Sequence, residues 1–451
     1  MASDMDTLLS ARALMGISLA FHIVYVAFGI GMPFDIMVAE GLALRTGNEM
    51  YHQLARRWVR PLVVLVAIGA VSGTVLSFEL GLLWPRFMAF SGALIGLPFW
   101  LEAFAFFIEA IFLSAYIYGE RRLSRRTLFL CTIPVVVGSI ASAVFVISAN
   151  SWMNTPAGFQ LAGSEPVPGN LSNVDPLQAF ANPAWLHELL HGTLATYVAC
   201  NMMIAGVYAL AILRGHLTEY NKRALTLVLA VAGIAAPLQI FLGDFAAVSV
   251  ARLEPAKLAA MEALFHTTQG APETILGWPD PARGEVRYAL EIPRLLSILA
   301  YQDPNATVQG LDAFPPGTTP NPVLTHPSFD LMVGLGFLMA IVVIWFWGLR
   351  WLRKEVPSGK WTMRAVLIAS PFGLIAQELG WFTTEFGRQP WIAAGTMSVA
   401  QGVTPDSGIE AVLIAFVGVY VALTIGLVRL VPVRAPDGGR SALQGGPHGS
   451  S

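Results

Sequence analysis

The chain has 451 residues (48.5 kDa); 55% are apolar, only 12% are charged, and the mean hydropathy is +0.61. An average soluble domain carries roughly 25% charged residues, so these proportions exclude a soluble globular protein and a disordered one. With 27 Lys+Arg against 29 Asp+Glu, net −2, there is no basic run to track a phosphate backbone, which excludes a nucleic-acid binder.

A bilayer core of ~30 Å needs ~20 apolar residues in a helix. Nine stretches meet that requirement, in chain order Ala13–Pro33, Pro61–Phe78, Leu97–Tyr118, Leu128–Ala149, Gly192–Leu213, Ala224–Gly243, Leu331–Leu349, Met363–Phe382 and Ala411–Val428. Nothing alternates as barrel strands do. The expected fold is an all-α polytopic membrane protein with nine transmembrane helices. Nineteen of the Lys+Arg fall on one side of these spans and eight on the other. Basic residues mark the cytoplasmic side, so the N-terminus is expected outside and the C-terminus in the cytoplasm. The stretch before the first span lacks a basic n-region and a small-residue cleavage site, so no removable signal peptide is expected. Two outer loops are long, Asn150–Leu190 and Asp244–Asp330, the second with a helix-like piece at Glu254–Leu264. The chain therefore divides into spans one to six (1–247), an outer loop (248–327), spans seven to nine (328–430) and a Gly/Pro/Ser-rich, disordered tail (431–451). Cys131 and Cys200 lie in apolar stretches and form no disulfide framework, CxxC pair or CxxCH haem attachment. No internal repeat is visible, which weighs against an inverted-repeat transporter.

Polar groups inside a span are costly and therefore informative. The first span holds a single histidine, His22, for which a ligand role and a plain buried hydrogen bond are both open. The third carries Glu102 and Glu109 in LEAFAFFIE, two turns apart on one helix face; they suit a proton relay or a metal-adjacent acid, or else two acids tying neighbouring helices. The fifth opens with His187, Glu188 and His191 in HELLH. That run matches the zinc-protease pattern, but it begins a membrane helix and no third ligand stands out. His191 and Met332, each near the outer end of its span, are a His/Met combination of the kind that ligates low-spin haem; alone, a Met at a helix start is usually packing. The eighth span ends in GWFTTEFGRQPW, containing Trp381, Glu385, Arg388 and Gln389. Its Gly, Arg, Gln and Pro need a defined turn, and its Arg suits a carboxylate such as a haem propionate.

On GRQPW with its preceding Glu, the single His of the first span and ANSWMNTP at Ala149–Pro156, the chain resembles subunit I of the cytochrome bd-type quinol oxidases, including the cyanide-insensitive branch, over Leu8 to Val431. The resemblance implies that His22 and Glu385 are iron ligands of two high-spin haems, and that His191 and Met332 are the axial pair of a low-spin haem b. It implies roles for Glu102, Glu109 and Ser142 at the di-haem site and its proton path, for Trp381, Arg388 and Gln389 around the haems, and for Lys257 and Glu262 in quinol binding. Three haems are implied, a low-spin b, a high-spin b, and a third that is d or b. Implied partners are a second subunit, often a small single-helix subunit, ubiquinol or menaquinol, O2, and the lipid of a bacterial inner membrane. Asp330 departs from many relatives, which carry Arg two residues before the Met ligand.

The borrowed ligands lie toward the outer ends of their predicted spans, with Glu102 among them. Quinol protons would then leave outside while protons consumed in forming water cross from the cytoplasm, separating charge without a pump. Two other functions compete. An electron-transfer-only cytochrome b subunit would show paired histidines 13–14 residues apart in its spans, and this chain has none. A proton-coupled transporter using Glu102, Glu109 and Glu378 leaves GRQPW unexplained.

Overall fold

The computed structural model describes residues 2–163, 165–404 and 408–430. Among the described residues nine helical spans are long and apolar enough to cross a membrane, as the sequence predicts. They run well beyond the apolar stretches. Helix α1 covers Ala2–Thr46 and α2 covers Glu49–Leu83. Only Gly47 and Asn48 separate them. Gly47 takes a positive φ of 67°, and the Asn48 side chain caps α2 by accepting the Met50 N–H at 3.0 Å. Arg45, Arg56, Arg57 and Arg60 thus sit on helix ends, not in a loop.

Helix α3 (Pro85–Gly119) starts a single residue after α2 and is followed by α4 (Arg125–Asn154), capped by Ser124. Because α3 reaches back to Pro85, Glu102 lies at its middle, which corrects the expectation of an outer-end position. The first long loop is trimmed to 155–184; it holds a two-stranded ribbon (Gln160–Leu161 with Leu171–Ser172) and the short α5 (Pro176–Phe180). Helix α6 (Trp185–Leu213) and α7 (Glu219–Leu253) follow, then α8 (Pro255–Met261), where the helix-like piece was expected. The second loop carries three antiparallel ribbons and α9 (Leu295–Tyr301) before α10 (Pro322–Arg353).

The eighth span is not continuous. It is α11 (Lys360–Ala369) and α12 (Phe372–Phe386), broken at Ser370–Pro371. Proline has no N–H to donate and disfavours helical φ/ψ in the residue before it, which accounts for the break. A ribbon (Trp391–Ala393 with Met397–Ser398), α13 (Val399–Gly402) and the ninth span α14 (Ile409–Leu430) complete the chain. The expected disordered tail, 431–451, lies outside the described residues.

Within lipid, helices gain no hydrophobic drive from pairing, so close packing and interhelical hydrogen bonds hold the bundle. Helix α6 is the most enclosed span, with α1, α4, α7, α11 and α12 packed around it. Small residues make this possible. A Cβ on Gly31 of α1 would lie 2.4 Å from the Cys200 Cβ, one on Gly206 2.3 Å from Ser370, and one on Gly373 2.5 Å from the Ala199 backbone. The Trp347 indole donates to the Leu229 carbonyl and the Trp58 indole to the Tyr208 hydroxyl, both at 2.8 Å; such bonds are worth roughly 0.6–2 kcal/mol each in a membrane. On α3, Trp100, Phe104, Phe107 and Ile111 form an exposed apolar stripe, while Glu109 on the opposite side is buried.

Candidate functional site

Three of the candidate ligands share one local feature: each lies against a glycine of a neighbouring helix. A Cβ on Gly73 would sit 3.1 Å from Cε1 of His22, one on Gly243 3.5 Å from Cε1 of His191, and one on Gly380 3.1 Å from Sδ of Met332. At His22 and Met332 the neighbouring helix comes this close because the glycine has no side chain; at His191 the contact is an ordinary one. His22 on α1 is further fixed by α2, with its Nδ1 2.9 Å from the Ser72 Oγ. The Ser72 hydroxyl gives its proton to the Ile68 carbonyl at 2.9 Å, so its oxygen is the acceptor for His22 Nδ1–H. That tautomer leaves Nε2 with a lone pair, the form a metal takes. The Gln239 amide of α7 lies across the His191 ring, 3.2 and 3.3 Å from its two nitrogens, and donates to the His191 carbonyl at 3.0 Å. His191 on α6 faces α7, and Met332 on α10 faces α12. Helices α6 and α10 each pack on both α7 and α12, so the two residues belong to one four-helix group.

The end of α12 gathers the polar residues of GWFTTEFGRQPW. Glu385 accepts from the Asn150 amide at 3.0 Å through Oε1 and pairs with the Arg388 guanidinium through Oε2. Gln389 donates to the Glu385 carbonyl at 3.2 Å and accepts from Arg12 at 3.1 Å. Trp381, half-buried, follows the glycine that holds Met332. Asn154, at the last turn of α4, is the hub. Its Oδ1 accepts from Arg388 at 3.4 Å and from the Lys257 ammonium at 3.1 Å, and its Nδ2 donates to Glu188 at 2.7 Å. Lys257 also pairs with Glu254, and its stem crosses Gly387, where a Cβ would come within 2.7 Å of the Lys257 Cγ. Lys257 and Arg388 are both nearly fully buried, so their charges depend on these acids and this amide.

His187, Glu188 and Glu254 hold ligand-type atoms within 4.8 Å of one another. The Lys257 ammonium paired with Glu254 already supplies a positive charge there. His191 is not in that group, so HELLH does not act here as a zinc-protease pair.

On α3, Glu102 accepts from the Ser142 hydroxyl at 3.0 Å. Glu109, two turns along, is 5% exposed with one oxygen sealed and unpartnered. Gly138 of α4 lets the two helices meet at that level, since a Cβ there would be 2.9 Å from the Ala105 carbonyl. Glu378 on α12 has both oxygens sealed without a partner.

Lys257 and Glu262, expected to act together, face different ways. Lys257 turns to Asn154 and Glu254, whereas Glu262 belongs to an acidic group with Glu273 and Asp330. Burial, then the neighbouring charges of Glu273 and Asp330, push the Glu262 carboxyl well above its usual range; burial and Asp330 push Glu273 up to about 7. Asp330, the residue that replaces the usual Arg, accepts the Leu276 N–H and lies 3.5 Å from His326 Nε2. Its side chain thus engages the outer loop. Sequence reasoning gave no role to Asn150, Asn154, Glu188, Glu254 or Ser72. Asn150 and Asn154 lay within ANSWMNTP and Glu188 within HELLH, while Glu254 and Ser72 showed only as polar residues beside or within apolar runs.

Nine spans among the described residues that set two His and a Met against glycines of neighbouring helices, with a Glu paired to a buried Arg and a buried Lys converging on the same amide, define a membrane-embedded haem-bearing redox subunit. The family model for cytochrome bd terminal oxidase subunit I matches residues 10–436. A Bacillus subtilis protein provisionally described as a cytochrome bd menaquinol oxidase subunit I is 35% identical, over 95% of this chain and 96% of its own. The Bacillus subtilis cytochrome bd ubiquinol oxidase subunit 1 is 31% identical, over 94% and 93% respectively. The solved structure of bd oxidase from Geobacillus thermodenitrificans superposes with a TM-score of 0.88 at 37% identity, covering 95% of this chain and 99% of that one. The chain belongs to the cytochrome bd terminal oxidase subunit I family. It is the haem-bearing subunit of a quinol:oxygen oxidoreductase of the bacterial inner membrane, and it works with a subunit II.

Proposed function

We propose that this subunit holds three haems, with His191 and Met332 the axial pair of a low-spin haem b and with His22 and Glu385 each ligating a high-spin haem, one of type b and the other of type d or b. The observation that carries the reading is the set of glycines at Gly73, Gly243 and Gly380, against which His22, His191 and Met332 are closely packed. When bound, such haems supply one-electron transfer and oxygen reduction. Asn150 and Arg388 orient the Glu385 carboxylate, and Ser72 sets the tautomer of His22. Lys257 and Arg388 provide buried positive charge suited to propionates, with Trp381 and Gln389 completing the surroundings.

Quinol, as ubiquinol or menaquinol, docks at the outer loop. Lys257 contributes a donor and Glu262 an acid whose carboxyl is pushed well above its usual range by burial and the neighbouring acids, on two sides of the α8 segment. The Lys/Arg distribution supports an arrangement with this loop and the N-terminus outside and the C-terminus in the cytoplasm. Protons of quinol then leave outside. Protons for water pass inward through Glu109 and then Glu102, with Ser142 holding Glu102 in place. Charge crosses the membrane without a pump. Subunit II, and a small single-helix subunit, cover apolar faces such as the Trp100–Ile111 stripe.

A reduced-minus-oxidised spectrum of the purified complex, with and without CO, tests this. Three haem contributions, part of them CO-sensitive, are expected. Haems that never bind CO would indicate an electron-transfer-only subunit instead.

A further inference from the structure

A second buried polar cluster lies at the basic ends of α1, α2 and α3, away from every candidate haem ligand. Glu40 of α1 is fully buried. His52 of α2 places its Nδ1 2.8 and 2.9 Å from the two Glu40 oxygens, and the Tyr116 hydroxyl of α3 donates to Glu40 Oε1. His52 and Tyr116 are also buried, at 3% and 2% exposure. An isolated carboxylate in such a place costs several kcal/mol unless it is paired and hydrogen-bonded, and here an imidazole and a phenol do both. The fully buried acid is a poor choice if the only need is to tie three helices, since apolar packing ties them without a desolvation penalty.

Its position relative to the other acids is regular. Glu102, Glu109 and Tyr116 follow one another at seven-residue intervals on α3. Each interval is about 10 Å along the axis and returns to the same helix face. Between the levels of Glu109 and Tyr116 the structure has a water-sized cavity, lined by Pro33, Ile36, Leu113, Tyr116, Thr132 and Val135 among others. Tyr116 and Thr132 contribute to its otherwise apolar lining, and the next acid along the same face of α3, Glu109, has a sealed, unpartnered oxygen. At the other end, His52 is on the first turn of α2, next to the α1–α2 turn and to the solvent-exposed Arg56, which pairs with Glu120 at the end of α3. The charged and titratable groups facing the cluster are therefore Arg56 and Glu120, already paired with each other.

We infer that His52, Glu40 and Tyr116 form the cytoplasmic entry of the proton path, delivering protons through the Tyr116 hydroxyl to Glu109. This rests on the Glu109–Glu102 path proposed above. A proton taken up from cytoplasmic water makes His52 an imidazolium. It passes along Nδ1–H to the Glu40 carboxylate, which becomes the neutral acid. The Tyr116 hydroxyl turns about its C–O bond, accepts that proton from Glu40 and releases its own to a water in the cavity, which hands it to Glu109. One proton enters and one leaves; the cycle closes when the His52 ring, left with its proton on Nε2, reorients to present N–H to Glu40 again and the Tyr116 hydroxyl turns back to Glu40.

The test uses the intact purified complex. Fully reduced enzyme is mixed with O2 while electron transfer is followed in the haem spectrum and proton uptake with a pH indicator. Tyr116→Phe removes one oxygen and keeps the ring packed. It is expected to slow proton uptake at least tenfold, with haem content, haem spectra and quinol-to-haem electron transfer unchanged. Glu40→Gln, which preserves volume and hydrogen bonding, is expected to do the same. Parent-like uptake in Tyr116→Phe overturns the inference, even if Glu40→Gln does not assemble. If Tyr116→Phe is parent-like while Glu109→Gln is slow, the entry lies elsewhere and the inner path stands. If both are parent-like, the inner path fails as well.

Discussion

Lys257 and Arg388, 131 positions apart in sequence, donate to the same atom, the Oδ1 of Asn154, at 3.1 and 3.4 Å. The loop proposed to bind quinol and the turn that carries Glu385, a proposed ligand, are thereby joined through one amide at the end of α4. Asn154→Leu keeps the volume and removes every polar contact. Each buried group left without a partner costs about 1–3 kcal/mol, and Glu188, Lys257 and Arg388 all lose one. The variant complex is expected to melt several degrees lower and to lose quinol turnover, measured by a thermal melt and oxygen consumption. A parent-like melt with full turnover would show that the amide is dispensable.

His191→Ala removes one proposed axial ligand, and Met332→Leu keeps the volume while deleting the sulfur. Both are expected to abolish the low-spin haem b band and quinol oxidation, with CO binding at the high-spin site retained. Difference spectra of the two variants decide the assignment. An intact low-spin band in both defeats it.

Glu109→Gln cannot release a proton but still hydrogen-bonds. It is expected to reduce steady-state oxygen consumption by an order of magnitude or more, while quinol still reduces the haems; Glu109→Asp is expected to keep part of the activity. If Glu109→Gln turns over like the parent from about pH 6 to 8, Glu109 is a packing acid and carries no proton.

The raised Glu273 carboxyl makes stability pH-dependent in a definite direction. Its folded pKa, about 7, exceeds the ordinary carboxylate value, so between the two the folded state holds the extra proton. Stability from this group is therefore full at low pH and falls as pH rises toward 7, with no further change above. Glu273→Gln is expected to raise the melting temperature at pH 8 more than at pH 5. Melts of parent and variant at the two pH values measure it; an equal shift at both removes Glu273 as the source.

Gly31→Ala puts a methyl 2.4 Å from the Cys200 Cβ, with α1 and α6 both enclosed at that level. Overpacking of this kind costs about 1–3 kcal/mol. The expected result is a lower melting temperature with an unchanged haem spectrum. A melt like the parent's would mean the two helices can separate without loss.

The nine spans were legible because a bilayer demands long apolar runs, and few other constraints produce them. Their ends were not. The first predicted span stopped at Pro33, yet α1 continues to Thr46, through the buried Asp35 and through Glu40, which His52 and Tyr116 satisfy. Glu40 was consequently left among loop residues, and its partners His52 and Tyr116, 12 and 76 positions away, had no local pattern to mark them. The Ser370–Pro371 break had a visible cause, but the apolar residues around it hid the interruption. At the site, His22 and GRQPW stood out as isolated polar groups in apolar surroundings. Asn154 lay within ANSWMNTP, but its role did not show there, because it comes from three partners 34, 103 and 234 positions away. Glu188 was read within HELLH, whose spacing suggests zinc, and only its contact with Asn154 shows its charge directed elsewhere. The divergence of Lys257 and Glu262 follows from helix geometry: five residues is about 140° beyond a full turn.

The Gly31–Cys200 contact also makes a built-in gauge of bundle integrity. Cys200 has no exposed surface, and the backbone of α1 lies directly over its thiol. A maleimide or similar reagent can label it only when α1 lifts away from α6, and α1 is the helix that carries His22. The rate of Cys200 labelling in detergent or membrane thus counts openings at the innermost seam of the subunit, a clock for kinetic stability that reads independently of colour or catalysis.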